Sequence, residues 1–429
     1  MNIIKNRTLA LLQKKIVNIS FKNQILLLLL ASVSMFLFTS CDTGDPPPPP
    51  NTGPIPRIYI NTENGQAVVS KEDYLNATFV LDGEGTDWDN MEETALRIRG
   101  RGNSTWGAPK KPYRLNFNTA TSLFGLPAAR NWVLLANYYD KTQLFNTVAF
   151  EIGQRLGMPH TNHSFFVELY LNGKCQGLYQ LTEHISSNVP LSGDDILMEI
   201  DANFDETFQF YSDIVQLPVM LQNPSNQATL DRAKVIWDNI EKTLFAPVYE
   251  NTPVVLDSNS GWWDLINIES LMQYFLVYEI MLNTEPLWPN SVNIRYLEND
   301  DKIHFGPIWD FDNGWTQSQA YPWRIERINW GDKGNMQELL ERELAGSKLF
   351  YRFFDDPKFV REYKEYCKNT IGKLDHIGRF IDSLTVTLKP YAEKDFQIWN
   401  QLYDYELQAN WFKNLYHRRI YVVKNYVKF

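Results

Sequence analysis

Five consecutive prolines, Pro46–Pro50, constrain this chain more than any other feature. They sit in a Pro-rich stretch, residues 41–56, that favours a stiff extended spacer and cannot enter a helix or an inner strand. After it no second linker and no internal repeat appears. Residues 57–429 are therefore expected to fold as one large domain with a helical extension. Ahead of the spacer, Lys5, Arg7, Lys14, Lys15 and Lys22 precede the apolar run 25–38 and then Thr39, Ser40 and Cys41. A basic region, a short apolar region and small residues before a cysteine read as a signal peptide over residues 1–40. The apolar run is too short for a membrane span, which needs roughly 20 residues. The small residue before Cys41 resembles a lipobox, with Phe38 where leucine is usual. Lipidation of Cys41 would tie an exported chain to a bacterial membrane, facing the periplasm or the cell surface.

Removing residues 1–40 takes five basic residues and no acid, leaving 36 bases against 51 acids, a charge near −15. That excludes a general nucleic-acid binder, which needs a basic face. Three cysteines exclude a disulfide scaffold. With Cys41 lipidated, Cys175 and Cys367 would remain, as a pair or as two thiols.

Against this acidic background, residues 97–114 (RIRGRGNSTWGAPKKPYR) carry Arg97, Arg99, Arg101, Lys110, Lys111 and Arg114 and no acid. Glycines among them let backbone approach a ligand closely. The chemistry is that of an anion pocket, with phosphate foremost, unless the run is a solvated basic strand pair. On the strand after it, Lys111, Tyr113, Leu115 and Phe117 share one face and Arg114 and Asn116 the other. A second outlier is residues 305–315, FGPIWDFDNGW. Read as a strand over 308–312, it puts Asp310 and Asp312 on one face and Trp309 and Phe311 on the other, a compact hard-cation site. Between the two lie Glu285 and Asn290, five apart. That is the acid-to-Asn spacing of the protein-kinase catalytic loop, followed twenty residues on by the Asp310 strand. His160 and His163 lack the adjacent acid of a zinc motif. Trp262, Trp263, Trp309, Trp315, Trp323 and Trp330 are candidates for a sugar platform or for core.

Strands are expected at 57–81, Leu96–Arg101, Tyr113–Phe117 and 303–312, with a hairpin over 164–182 turning at Asn172-Gly173. Helices are expected at 140–156, capped by Asp140 with Gln143 three on, at 227–245, at 264–282 and from 335 onward. The order is β first, then α, so the class is α+β.

The motifs IRGRGNSTW (98–106), PKKPYR (109–114), WVLLANYYDKT (132–142), VELYLNG (167–173) with GLYQLTE (177–183), and GPIWDFD (306–312) occur in the order seen in the CotH (spore coat protein H) kinase-like family. The chain resembles an exported lipoprotein member of it. The resemblance implies a divergent protein-kinase-like fold over 57–334, with a β-rich first half and a helical extension, 335–429, packed on the same domain. It implies ATP and Mg²⁺, with Mn²⁺ as the alternative ion, and a protein substrate. By position, Lys110 or Lys111 would contact phosphates, Arg101 would support them, and Glu183 would pair with the lysine or help hold metal. Asp310, Asp312 and Asn290 would ligate the ion, and Glu285 would be the catalytic-loop acid. Two departures imply weakened transfer: Glu285 where the family has Asp, and Phe145 where it has Arg. The alternative they favour is a non-catalytic, pseudokinase-like surface lipoprotein that binds a protein or glycan.

Overall fold

Seven strands wrap into a closed barrel because their alternating apolar residues have no other place to go. β1 (Arg57–Thr62), β2 (Leu75–Asp82), β3 (Met91–Gly100), β4 (Tyr113–Thr121), β5 (Ala129–Leu135), β7 (Lys174–Glu183) and β6 (Phe165–Leu171) are neighbours in that order. Parallel pairing of β6 with β1 closes the ring. Ile58, Phe79, Ile98, Leu115, Trp132 and Leu181 fill the interior with no exposure above 1%. In this computed structural model, residues 53–245, 256, 261–312 and 345–427 are described. The expected leader, Cys41, most of the spacer, Trp315, Trp323 and Trp330 lie outside them.

The β6–β7 hairpin turns at Asn172 (φ 51°) and Gly173 (φ 74°), as the Asn-Gly pair requires. Asn172 also accepts from the Thr62 backbone N–H at 2.8 Å, which ties the turn to β1. A second sheet was not legible in the sequence. Its order is β12 (Lys302–Phe305), β11 (Val292–Leu297), β8 (Ile196–Ile200), β10 (Pro218–Asn223) and β9 (Gln209–Tyr211). Ile196, Leu197 and Met198 are consecutive and all buried, so no alternation marks the strand. The order of elements is therefore not simply β then α, although the first half is β-rich and the last part is helical.

The longer helices are α1 (Phe145–Arg155), α2 (Gln227–Leu244), α3 (Ile268–Met281), α4 (Ala345–Phe353), α5 (Pro357–Thr370), α6 (Ile377–Ile398) and α7 (Tyr405–Tyr426). The expected helix at 140–156 starts five residues late. Asp140 sits in a turn ahead of it, accepting from Thr142 N–H and from Phe145 N–H, both at 2.8 Å. It still satisfies the first helical donor, from one turn further out. Leu374, Ile377, Ile381 and Leu384, spaced as one apolar stripe, pack inward: the first three are buried and Leu384 is half-buried. Among the described residues no helix is long and apolar enough to cross a membrane.

One buried ion pair fastens the last helices to the barrel. Asp395 on α6 reaches Lys110 at 2.8 Å, and both side chains are at most 1% exposed. Asp395 also accepts from Leu178 N–H at 2.9 Å. Gly177 makes this possible: its φ is 89°, and a Cβ there would collide with the Asp395 carboxylate.

Candidate functional site

A cavity of about 800 Å³ opens between the outer face of β3–β4 and the second sheet, within the size range of small-molecule sites. The barrel contributes Arg99, Arg101 and Arg114. Arg99 and Arg114 stand directly opposite each other in the β3–β4 ladder. The second sheet contributes Glu199, Met220 and Gln222, with Asp201 just beyond β8. Glu285, Asn290, Trp309, Asp310 and Asp312 form the inner wall.

Ligand atoms of Glu285, Asp310 and Asp312 all lie within 4.8 Å of one another. Glu285 starts a 3₁₀ turn, Glu285–Leu287. The 308–312 segment is not a strand: it leaves the sheet after Phe305, and Asp310 has φ 60°. Alternation on a strand is thus not what puts the two aspartates together. The backbone is pinned instead by Asn283 Nδ2 on the Asp310 carbonyl and by Phe311 N–H on Asn146 Oδ1, each 2.8 Å. Burial pushes the Asp312 carboxyl well above its ordinary range, and Asp310, Glu285 and Asp140 add to the push. The two neighbouring acids of the cluster thus add to the burial that disfavours charge on Asp312. An all-oxygen set of this kind fits a hard divalent cation.

Arg101 lies over the Trp309 ring at 5.5 Å and in the field of Asp310 and Asp312. Arg99 and Arg114 each keep a buried Nε with no hydrogen-bond partner. Glu199, whose Oε2 accepts from Gln222 at 2.7 Å, is pushed up to about 8 by burial and by Asp201, Asp205 and Glu206.

The sequence placed some of these residues well and others not. Arg101, Glu285, Asn290, Asp310 and Asp312 meet at one cavity. Lys110 borders it, but its ammonium is committed to Asp395 and the Leu178 carbonyl. Lys111 is turned away, donating to the Trp106 carbonyl at 2.6 Å. Glu183 pairs with neither lysine and does not line the cavity. It accepts from His163 N–H at 2.8 Å and lies 2.6 Å from His163 Nδ1. Arg114, on the face opposite to Lys111, is the cavity residue of β4. His160 and His163 join no metal-ligand cluster among the described residues. Trp262 and Trp263 both donate to Asp356 at 3.1 and 2.8 Å; Trp262 is core, and Trp263 is half-buried beside it with Lys358 over its ring. Cys175 and Cys367 are both free thiols.

The two departures also change meaning. Phe145 is 2% exposed and packs on Phe412 of α7 at 5.0 Å. It faces the core, so the cavity loses no cation there. Glu285, one methylene longer than Asp, has the reach that brings its carboxylate into the cluster. Sequence reasoning missed Glu199, Asp201, His184 and Asp395, none of which stands in a recognisable spacing.

A sequence model of the CotH kinase protein family matches residues 96–426. The chain belongs to the CotH kinase family. The matched span takes in the barrel from β3, the cavity, the second sheet and the C-terminal helices. In this CotH kinase family member the helical region from 345 thus falls within the family domain. A search of curated proteins finds no match to the chain.

Proposed function

We propose that this chain is an exported, lipid-anchored protein kinase that transfers the γ-phosphoryl group of ATP with Mg²⁺, or Mn²⁺ in its place. One observation carries the reading. Three carboxylates gathered on one wall face three arginines on the other, across a cavity of nucleotide size. A β-rich lobe that supplies cations, facing a lobe that supplies metal-binding acids, is also what makes a divergent kinase-like fold the best description.

Catalysis here is positioning and charge neutralisation. Glu285, Asp310 and Asp312 would hold the divalent ion, with Asn290 beside them. Such an ion would supply charge neutralisation to the phosphates of the donor. Arg101 would meet the phosphates from the barrel side, its plane kept in place by Trp309. Lys110 acts at one remove, fixing the barrel edge against α6. The acceptor hydroxyl of a protein substrate would enter from the exposed rim. The signal-like leader and Cys41 support the exported, lipid-anchored part of the proposal; lipid mass on Cys41 in the mature chain would test it.

Thermal unfolding of the purified chain with ATP, with and without Mg²⁺, tests the site. At a nucleotide concentration 100 times the dissociation constant, binding adds about 2.7 kcal/mol to stability. The shift should require Mg²⁺ and vanish in Asp312→Ala. No shift in the parent, or one that ignores Mg²⁺, would refute the reading.

A further inference from the structure

His184 is a cavity group that neither the sequence nor the family resemblance singled out. It caps the one-turn helix Ile185–Asn188, its Nδ1 accepting from Ser186 N–H at 3.3 Å and lying 2.8 Å from Ser186 Oγ. With Nδ1 used as acceptor, the ring proton of the neutral imidazole sits on Nε2. Nε2 has no partner among the described residues, and the ring lines the cavity. Burial, with Arg114, Arg101 and Arg99 next, holds the imidazole well below its usual range, so the ring stays a neutral donor.

The arginines around it are only partly satisfied, with Arg99 over the Tyr74 ring at 5.1 Å. Two like charges directly opposite on neighbouring strands repel. Neither Arg99 nor Arg114 forms an ion pair among the described residues, and each leaves its Nε buried and unpaired. An anion between them would remove both costs. Arg101 lies just past the end of β3, two residues on from Arg99, and is in the field of Asp310 and Asp312. Arg114, Arg101 and Arg99 all act on the His184 ring, and Arg101 also on the carboxylate cluster, so the cations share one side of the cavity.

We propose that Arg99, Arg114 and His184 form a polyphosphate cradle that seats the non-transferred phosphates of the donor nucleotide, with His184 as its positioning residue. The inference rests on the nucleotide reading above for the identity of the occupant. An acidic acceptor peptide is the poorer fit. The unpaired arginine Nε atoms lie buried, where a compact phosphate chain reaches more readily than a carboxylate held on a peptide backbone.

Calorimetric titration of the full chain with Mg-ATP, Mg-AMP and inorganic tripolyphosphate tests this in the parent, His184→Ala, His184→Gln and Arg114→Gln. A lost hydrogen bond to a charged group predicts about tenfold or more weaker binding of ATP and tripolyphosphate in His184→Ala. AMP, which brings only the α-phosphate to the cradle, should lose less affinity than ATP does. His184→Gln keeps a donor and should recover most of the loss. Arg114→Gln leaves the cap intact and should show the same order of effects, which separates a cradle from a folding defect. Unchanged affinities, or equal losses for ATP and AMP, would overturn the proposal. A parent that binds tripolyphosphate but not ATP would instead sink the nucleotide reading, and the His184→Ala loss would still decide the cradle.

Discussion

Removing the Asp395 carboxylate should unfasten the last helices from the barrel, and its cost can be worked from the geometry. Lys110 and Asp395 are 2.8 Å apart and sealed from water. Burial pulls the lysine below its ordinary range and pushes the aspartate above its own, and each is drawn back by the other. In Asp395→Ala the ammonium must stay charged without a partner or give up its proton. Losing a proton at pH 7 from a group whose ordinary value is 10.5 costs about 4.8 kcal/mol, at about 1.36 kcal/mol per unit. The usual cost of breaking a buried pair, about 3–5 kcal/mol, agrees. The neutral route also fixes a pH dependence. Folded Asp395→Ala would bind one proton fewer than the unfolded chain, so its stability rises with pH. The deficit against the parent should shrink by about 2.7 kcal/mol between pH 7 and 9. Urea unfolding followed by Trp fluorescence at both values measures it. The double variant Lys110→Met, Asp395→Leu carries no stranded charge and should recover most of the loss. A deficit under about 1 kcal/mol, or one that does not move with pH, would refute the reasoning.

Three further outcomes follow from the same structure. Glu285→Asp should lower phosphoryl transfer about 100-fold, because it draws the carboxylate back from Asp310 and Asp312; a rise in transfer would mean that Glu285 is a misplaced catalytic-loop acid. Glu199→Gln should gain stability over the parent as pH rises from about 4.5 to about 8, by at most about 1.36 kcal/mol per unit. A raised carboxyl value means that the folded parent binds the extra proton and loses stability as that proton leaves, which urea midpoints at pH 5 and 8 would show. Gly173→Ala should cost about 1–2 kcal/mol, although no heavy atom stands within 4 Å of the added Cβ, because φ is 74° there; an unchanged midpoint would mean that the turn relaxes.

What the sequence disclosed was local chemistry. The Asn172-Gly173 turn, the acid-free arginine run and the Asp310–Asp312 pair each carry their signal within a few residues. The order of motifs then named the family. What stayed hidden depends on contacts far apart in sequence. Asp395 is the partner of Lys110 across most of the chain, so the lysine read as a phosphate contact when it is a fastening. Arg114 and Lys111 could be assigned faces, but nothing local says which side of a closed barrel borders the cavity. The second sheet was missed because buried strands such as Ile196–Ile200 show no alternation. Asp310 and Asp312 converge through a left-handed residue and two side-chain tethers, not through strand parity.

Transfer of label from γ-labelled ATP to protein substrate, with Mg²⁺ or Mn²⁺, by the parent and by Asp310→Ala tests the central claim most directly. The account expects label from the parent, none without the ion, and none from Asp310→Ala. Label that persists in Asp310→Ala, or a parent that transfers none under either ion, would contradict it.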